Sequence, residues 1–123
     1  MDAPSRRRLS ATPSPAEEAA AGAVFESLAD PTRRSVLRAV AEDGPLTATE
    51  LAARLPVSRQ AVAKHLEVLR EAGLVTSARQ GRDVRYSFDA RPLDDAAGWI
   101  AAVGARWDHR LAALRDRLQG GRR

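Results

Sequence analysis

Between Asp30 and Gly73 the chain carries three helix starts and three helix stops, a punctuation that leaves room only for short helices joined by tight turns. Asp30 can cap a helix opened by Pro31, with Val36, Leu37 and Val40 on one face until Gly44-Pro45 stops it. Thr47 with Glu50 forms a capping box for a short helix through Leu51 and Leu55, which Pro56 ends. Ser58 then caps a helix whose apolar side is Val62, Leu66 and Leu69, closed by Gly73 at the C′ position. The last two helices and their turn form a helix-turn-helix. Upstream, Ser14, Pro15 and Glu17 start another helix over about 15–29, with Val24, Phe25 and Leu28 on its apolar side.

Beyond Gly73 the periodicity changes. Leu74 to Ala78 and Val84 to Phe88 alternate with period two around Gln80-Gly81-Arg82-Asp83, which predicts a β-hairpin with Val84, Tyr86 and Phe88 on one side and Arg85 and Ser87 on the other. From Leu93 the helical period returns through Ala97, Ile100, Val103, Trp107, Leu111, Leu114 and Leu118, giving a helix of about 25 residues that ends at Gly120-Gly121. Its apolar stripe exceeds what a small three-helix core can cover, so part of it is expected to meet another chain. The fold class is therefore mainly α with a small β-hairpin: a winged helix-turn-helix of about five helices. Residues 1–13, rich in Pro, Ser, Ala and Arg, read as a disordered basic tail, and residues 14–119 as one domain ending in a long dimerisation helix.

At 123 residues the chain fits a single domain able to bury a core without staples. It has no cysteine, which removes thiolate catalysis and Cys-based metal sites and suits a reducing cytoplasm. No apolar run reaches the length of a membrane span. Arg6-Arg7-Arg8 resembles a twin-arginine signal but lacks a hydrophobic segment after it, so export is not expected and a cytoplasmic location is. All but one of the 20 basic side chains are arginine, whose planar forks match phosphate oxygens and guanine edges.

Leu28-Ala29-Asp30-Pro31-Thr32-Arg33-Arg34, Leu51-Ala52, Val57-Ser58, Val62, His65-Leu66, Val68-Leu69-Arg70 and Gly73-Leu74-Val75 together resemble the ArsR-type winged-helix transcriptional repressors. The similarity spans about residues 23–118. It implies a homodimer, held by the first and last helices, that binds operator DNA and releases it when an effector binds.

The residues support DNA binding independently. With Val62, Leu66 and Leu69 buried, Gln60, Ala63, Lys64, Glu67 and Glu71 turn outward. Gln60 and Lys64 lie on the first two turns, the part of a recognition helix that enters the major groove, where Gln suits adenine and Lys guanine. Arg59 flanks this face, and Ser58 can donate to a phosphate beside the helix amides. Glu67 and Glu71 would meet phosphates unfavourably, so only the amino-terminal half should sit deep. Residues 54–91 hold eight basic side chains against four acidic ones, while residues 16–53 hold three against seven. Arg79, Arg82 and Arg85 on the hairpin are spaced to bracket a DNA backbone.

The expected dimer seam comprises Val24, Phe25, Leu28, Ile100, Val103, Trp107, Leu111 and Leu114. Trp99 and Trp107 border one apolar surface, as dimer core or as the lining of an effector pocket. His65 and His109 are the only histidines, and Asp108 points about 100° away from His109 on the helix, so neither a metal site nor a cofactor is expected. No nucleophile and base pair or phosphate loop marks an enzyme. The expected partners are double-stranded DNA and a second copy, with no membrane. Two readings stand beside this one: a winged helix turned protein-interaction module for an acidic partner, and a repressor relieved by a small apolar ligand. The operator, the effector and the choice between repressor and activator are left open.

Overall fold

In the computed structural model, which describes residues 12–120, the helix starts are made by the side chains that the sequence nominates. The order is α1 (Pro15–Ser27), α2 (Pro31–Asp43), β1 (Leu46–Thr47), α3 (Ala48–Arg54), α4 (Arg59–Glu71), β2 (Val75–Gln80), β3 (Asp83–Phe88) and α5 (Arg91–Gly120). All but Thr12 and Pro13 of the expected basic tail lie outside the described residues.

Ser14 and Glu17 exchange hydrogen bonds of 3.1 and 2.7 Å, and Thr47 and Glu50 do the same at 3.0 and 2.9 Å, completing both capping boxes. Asp30 Oδ1 accepts from the amides of Thr32 (2.8 Å) and Arg33 (3.1 Å), and the Arg33 amide is the main cause that holds its carboxyl below the usual value of 3.8. The two arginines after this cap serve the preceding helix. Arg33 Nη1 donates to the carbonyls of Glu26 and Ser27, and Arg34 Nη1 to that of Leu28, satisfying acceptors at the end of α1. Asp30-Pro31-Thr32-Arg33-Arg34 is thus a two-sided helix junction.

α4 ends in a paired closure: the Gly73 amide donates to the Arg70 carbonyl and the Leu74 amide to the Leu69 carbonyl, both at 2.9 Å. Gly73 adopts φ +79°, so Gly73→Ala is expected to lower stability by about 1–2 kcal/mol, read as a shifted urea midpoint with unchanged slope.

The core gathers Val36, Leu37 and Val40 of α2, Leu51 of α3, Val62, Leu66 and Leu69 of α4, and Leu46, Leu74, Val75 and Ala96, with Val24 of α1. Val24, expected at a dimer seam, is 2% exposed and belongs to this core, and Leu28 packs half-buried against it. Apolar periodicity shows which face of α1 is buried but not whether its own protomer or another chain buries it.

The hairpin is one part of a three-stranded antiparallel sheet ordered β1-β3-β2. β1 pairs Leu46 with Tyr86 and Thr47 with Arg85. The β2–β3 ladder runs from Val75↔Phe88 to Gln80↔Asp83, leaving a two-residue turn in which Gly81 has φ +62°. Tyr86 and Phe88 pack against the core, whereas Val84 is exposed. At 30 residues α5 is longer than expected, and it has two working faces. Leu93, Ala96 and Trp99 turn inward, with Ala96 rather than Ala97 buried. Trp99 meets Phe25 edge-to-face at 5.4 Å and donates to Glu18 Oε2 at 2.9 Å, fastening α5 to α1. It therefore does not share a surface with Trp107, which is 58% exposed.

Candidate nucleic-acid interface

The exposed side of α4 begins at its cap. Ser58 Oγ accepts the Ala61 amide at 3.1 Å, and the first turn carries no acidic side chain, unlike those of α1 and α3. The positive end of the α4 dipole is therefore left for an external anion. Arg59, Gln60, Ala63 and Lys64 are exposed on the first two turns, as the buried stripe of Val62, Leu66 and Leu69 requires. Further along, Glu67 is joined to Arg70 at 2.9 Å, so the carboxylate expected to repel phosphate comes with its own counter-charge. That contact raises the Arg70 pKa.

The sheet brings its tip over this helix. An open groove of about 500 Å³ is lined by Thr47 to Glu50 at the start of α3, by Arg59 and Ala63 of α4, and by Arg82 to Tyr86 of the β2–β3 turn and β3. Arg59 and Arg82 thus both line one concave surface. Thr49 and Ala63, both exposed, join it without having been singled out in the sequence. The outward position of Ala63 on α4 was the signal for one of them, and nothing local marks Thr49.

The three hairpin arginines differ. Arg79 on β2 and Arg82 in the turn are exposed. Arg85, expected with them to meet phosphate, instead pairs with Glu50 Oε1 at 3.2 Å and lies 3.9 Å from Asp83 Oδ2, with its side chain 28% exposed. Glu50 is occupied twice, since the same oxygen caps the Thr47 amide; that backbone hydrogen bond, ahead of Arg85, holds its pKa below 4.5. The result is a clamp from β3 to the start of α3.

His65 is half-buried on the flank of α4, and among the described residues no three His, Asp or Glu side chains gather where a metal could be held. No helix among the described residues is long and apolar enough to cross a membrane.

Residues 28–78, from the end of α1 to the middle of β2, match the family model described as a helix-turn-helix domain. The chain is 45% identical over 85 residues to the HTH-type transcriptional regulator YuzN of Bacillus subtilis, covering 63% of this chain and 92% of that protein. To the transcriptional repressor SdpR of the same organism it is 31% identical over 77 residues, covering 63% and 84%. The solved structure of an ArsR-like transcriptional regulator from Rhodococcus sp. RHA1 superposes with a TM-score of 0.77 at 42% identity, covering 82% of this chain and 94% of that one. The chain belongs to the ArsR family of helix-turn-helix transcriptional regulators. Within this ArsR-family regulator α3 and α4 are the helix-turn-helix, α4 is its recognition helix, and the β2–β3 hairpin is its wing. It is a DNA-binding regulator of transcription.

Proposed function

We propose that the protein is a homodimeric transcriptional repressor of the cytoplasm that acts without catalysis and binds an inverted-repeat operator. The observation that carries the reading is the groove shared by α4 and the wing, lined by both Arg59 and Arg82, with the first turn of α4 free of acidic side chains. Gln60 and Lys64 read base edges in the major groove, while Ser58, Arg59, Arg79 and Arg82 hold the phosphates on either side. Repression is supported by the likeness to SdpR. Dimerisation is supported by the row Ile100, Val103, Trp107, Leu111, Leu114 and Leu118 on α5, each between 40% and 64% exposed in the protomer.

A two-fold dimer sets its recognition helices in successive major grooves about 34 Å apart, so selection from random duplexes should return a palindrome. Lys64→Ala and Gln60→Ala should each cost roughly 1–3 kcal/mol per contact on that palindrome and change binding to random duplex less. An asymmetric selected site, or equal losses on both duplexes, would overturn the assignment of base reading to α4.

A further inference from the structure

Among the exposed residues of α4 only Ala63 has a short side chain. An α-helix turns about 100° per residue, so Ala63 stands about 40° around the axis from both Arg59 and Glu67, and about 60° from Gln60. Lys64 follows directly. Four long polar side chains therefore flank a recess whose floor is one methyl group, and Ala63 lines the same concave surface as Arg59 and Arg82. What suits such a recess follows from what base pairs present in the major groove. Guanine N7 and O6, adenine N7 and N6 and cytosine N4 all need hydrogen-bond partners, and Ala63 supplies none. Any of them pressed against the methyl would lose its water without gaining a partner. The thymine C5-methyl is apolar, and burying it there leaves no polar atom unsatisfied.

We infer that Ala63 is a specificity-determining residue that reads the 5-methyl group of one thymine in each half-site. The inference rests on the base reading by α4 proposed above and adds a contact which that reading does not contain. It also fixes where the thymine lies. Residues three apart on a helix have Cβ atoms about 5–6 Å apart, and successive base pairs rise by about 3.4 Å. The thymine therefore lies no more than about two base-pair steps from the pair that Gln60 reads. Cytosine in its place carries no methyl and presents an N4 amino group that Ala63 cannot satisfy, so the same residue selects thymine and rejects cytosine.

Deoxyuridine differs from thymidine only by this methyl, so the contact can be removed from the DNA side without altering a hydrogen bond. The probe is the palindromic duplex recovered by selection, with its thymines replaced symmetrically by deoxyuridine, one position at a time. One position near the Gln60 base pair should lose about fourfold in affinity per half-site, or about fifteenfold for both together. With Ala63→Gly the same replacement should change affinity less than twofold, because the protein's half of the contact is gone. Both duplexes are titrated with one preparation, so any loss of folded variant lowers both affinities and cancels in their ratio. A second measurement needs only the wild-type chain: cytosine at that position should bind more weakly than thymine, and 5-methylcytosine should bind about fourfold better than cytosine per half-site. If no thymine responds, if the response persists undiminished in Ala63→Gly, or if 5-methylcytosine binds no better than cytosine, the inference falls and base reading by Gln60 and Lys64 stands. If selection returns no preferred sequence, both fall together.

Discussion

Trp107→Ala is expected to weaken association of two chains by about 3–5 kcal/mol for each indole the seam buries, and to leave the protomer's own fold intact. The two halves of this result follow from one observation. In the protomer the ring is 58% exposed, so its removal opens no cavity there, and Trp99 still ties α5 to α1 through Phe25 and Glu18. All of the loss must then appear where a second chain covers the ring. Since each 1.4 kcal/mol is tenfold, the dimer dissociation constant should rise by at least about a hundredfold. Operator affinity should fall with it, because a lone recognition helix reads only one half-site. Sedimentation and gel shift at matched concentrations check both. A variant that dimerises like the wild type while its urea midpoint drops would place the indole in the protomer's stability and end the interface reading.

What the sequence showed well was whatever depends on neighbours in the chain. Ser14, Asp30, Thr47 and Ser58 each cap a helix within three residues, and Gly73 closes one within five, so local chemistry decides them. β1 escaped notice because two residues, Leu46 and Thr47, have no periodicity of their own and become a strand only by pairing with Tyr86 and Arg85 far along the chain. The hairpin strands ran on through Arg79 and Gln80 for the same reason: the ladder to Asp83 and Val84 outweighs the turn-like composition. Val24 was misplaced because apolar periodicity gives no sign of whether a helix face is covered by its own protomer or by another chain. The Arg85–Glu50 clamp joins residues 35 apart in sequence, and reading charge by segment counts Arg85 as surplus although a carboxylate already holds it.

That clamp yields the second large effect, a difference between two arginines that look alike in sequence. Arg82→Ala should flatten the dependence of log affinity on log salt by about one unit per protomer, hence by about two for a dimer, on operator and random duplex alike. Arg82 is exposed and lines the same groove as Arg59, where it can displace counterions from a phosphate. Arg85→Ala should lower affinity for both duplexes while keeping the salt slope near that of the wild type. The reason is that Glu50 and Asp83 already neutralise Arg85, so it releases no counterion on binding; what its loss removes is the tie that sets the angle of the wing against α3. The tie and the cap on Thr47 are separate hydrogen bonds, since Glu50 accepts the Thr47 amide at 2.9 Å through a contact of its own. The helix-turn-helix should therefore survive the change and the wing alone should lose its setting. Titrations of the two variants across a salt series decide the matter. If Arg85→Ala flattens the slope as much as Arg82→Ala, the guanidinium leaves its carboxylates for a phosphate when DNA binds, and its role is contact rather than positioning.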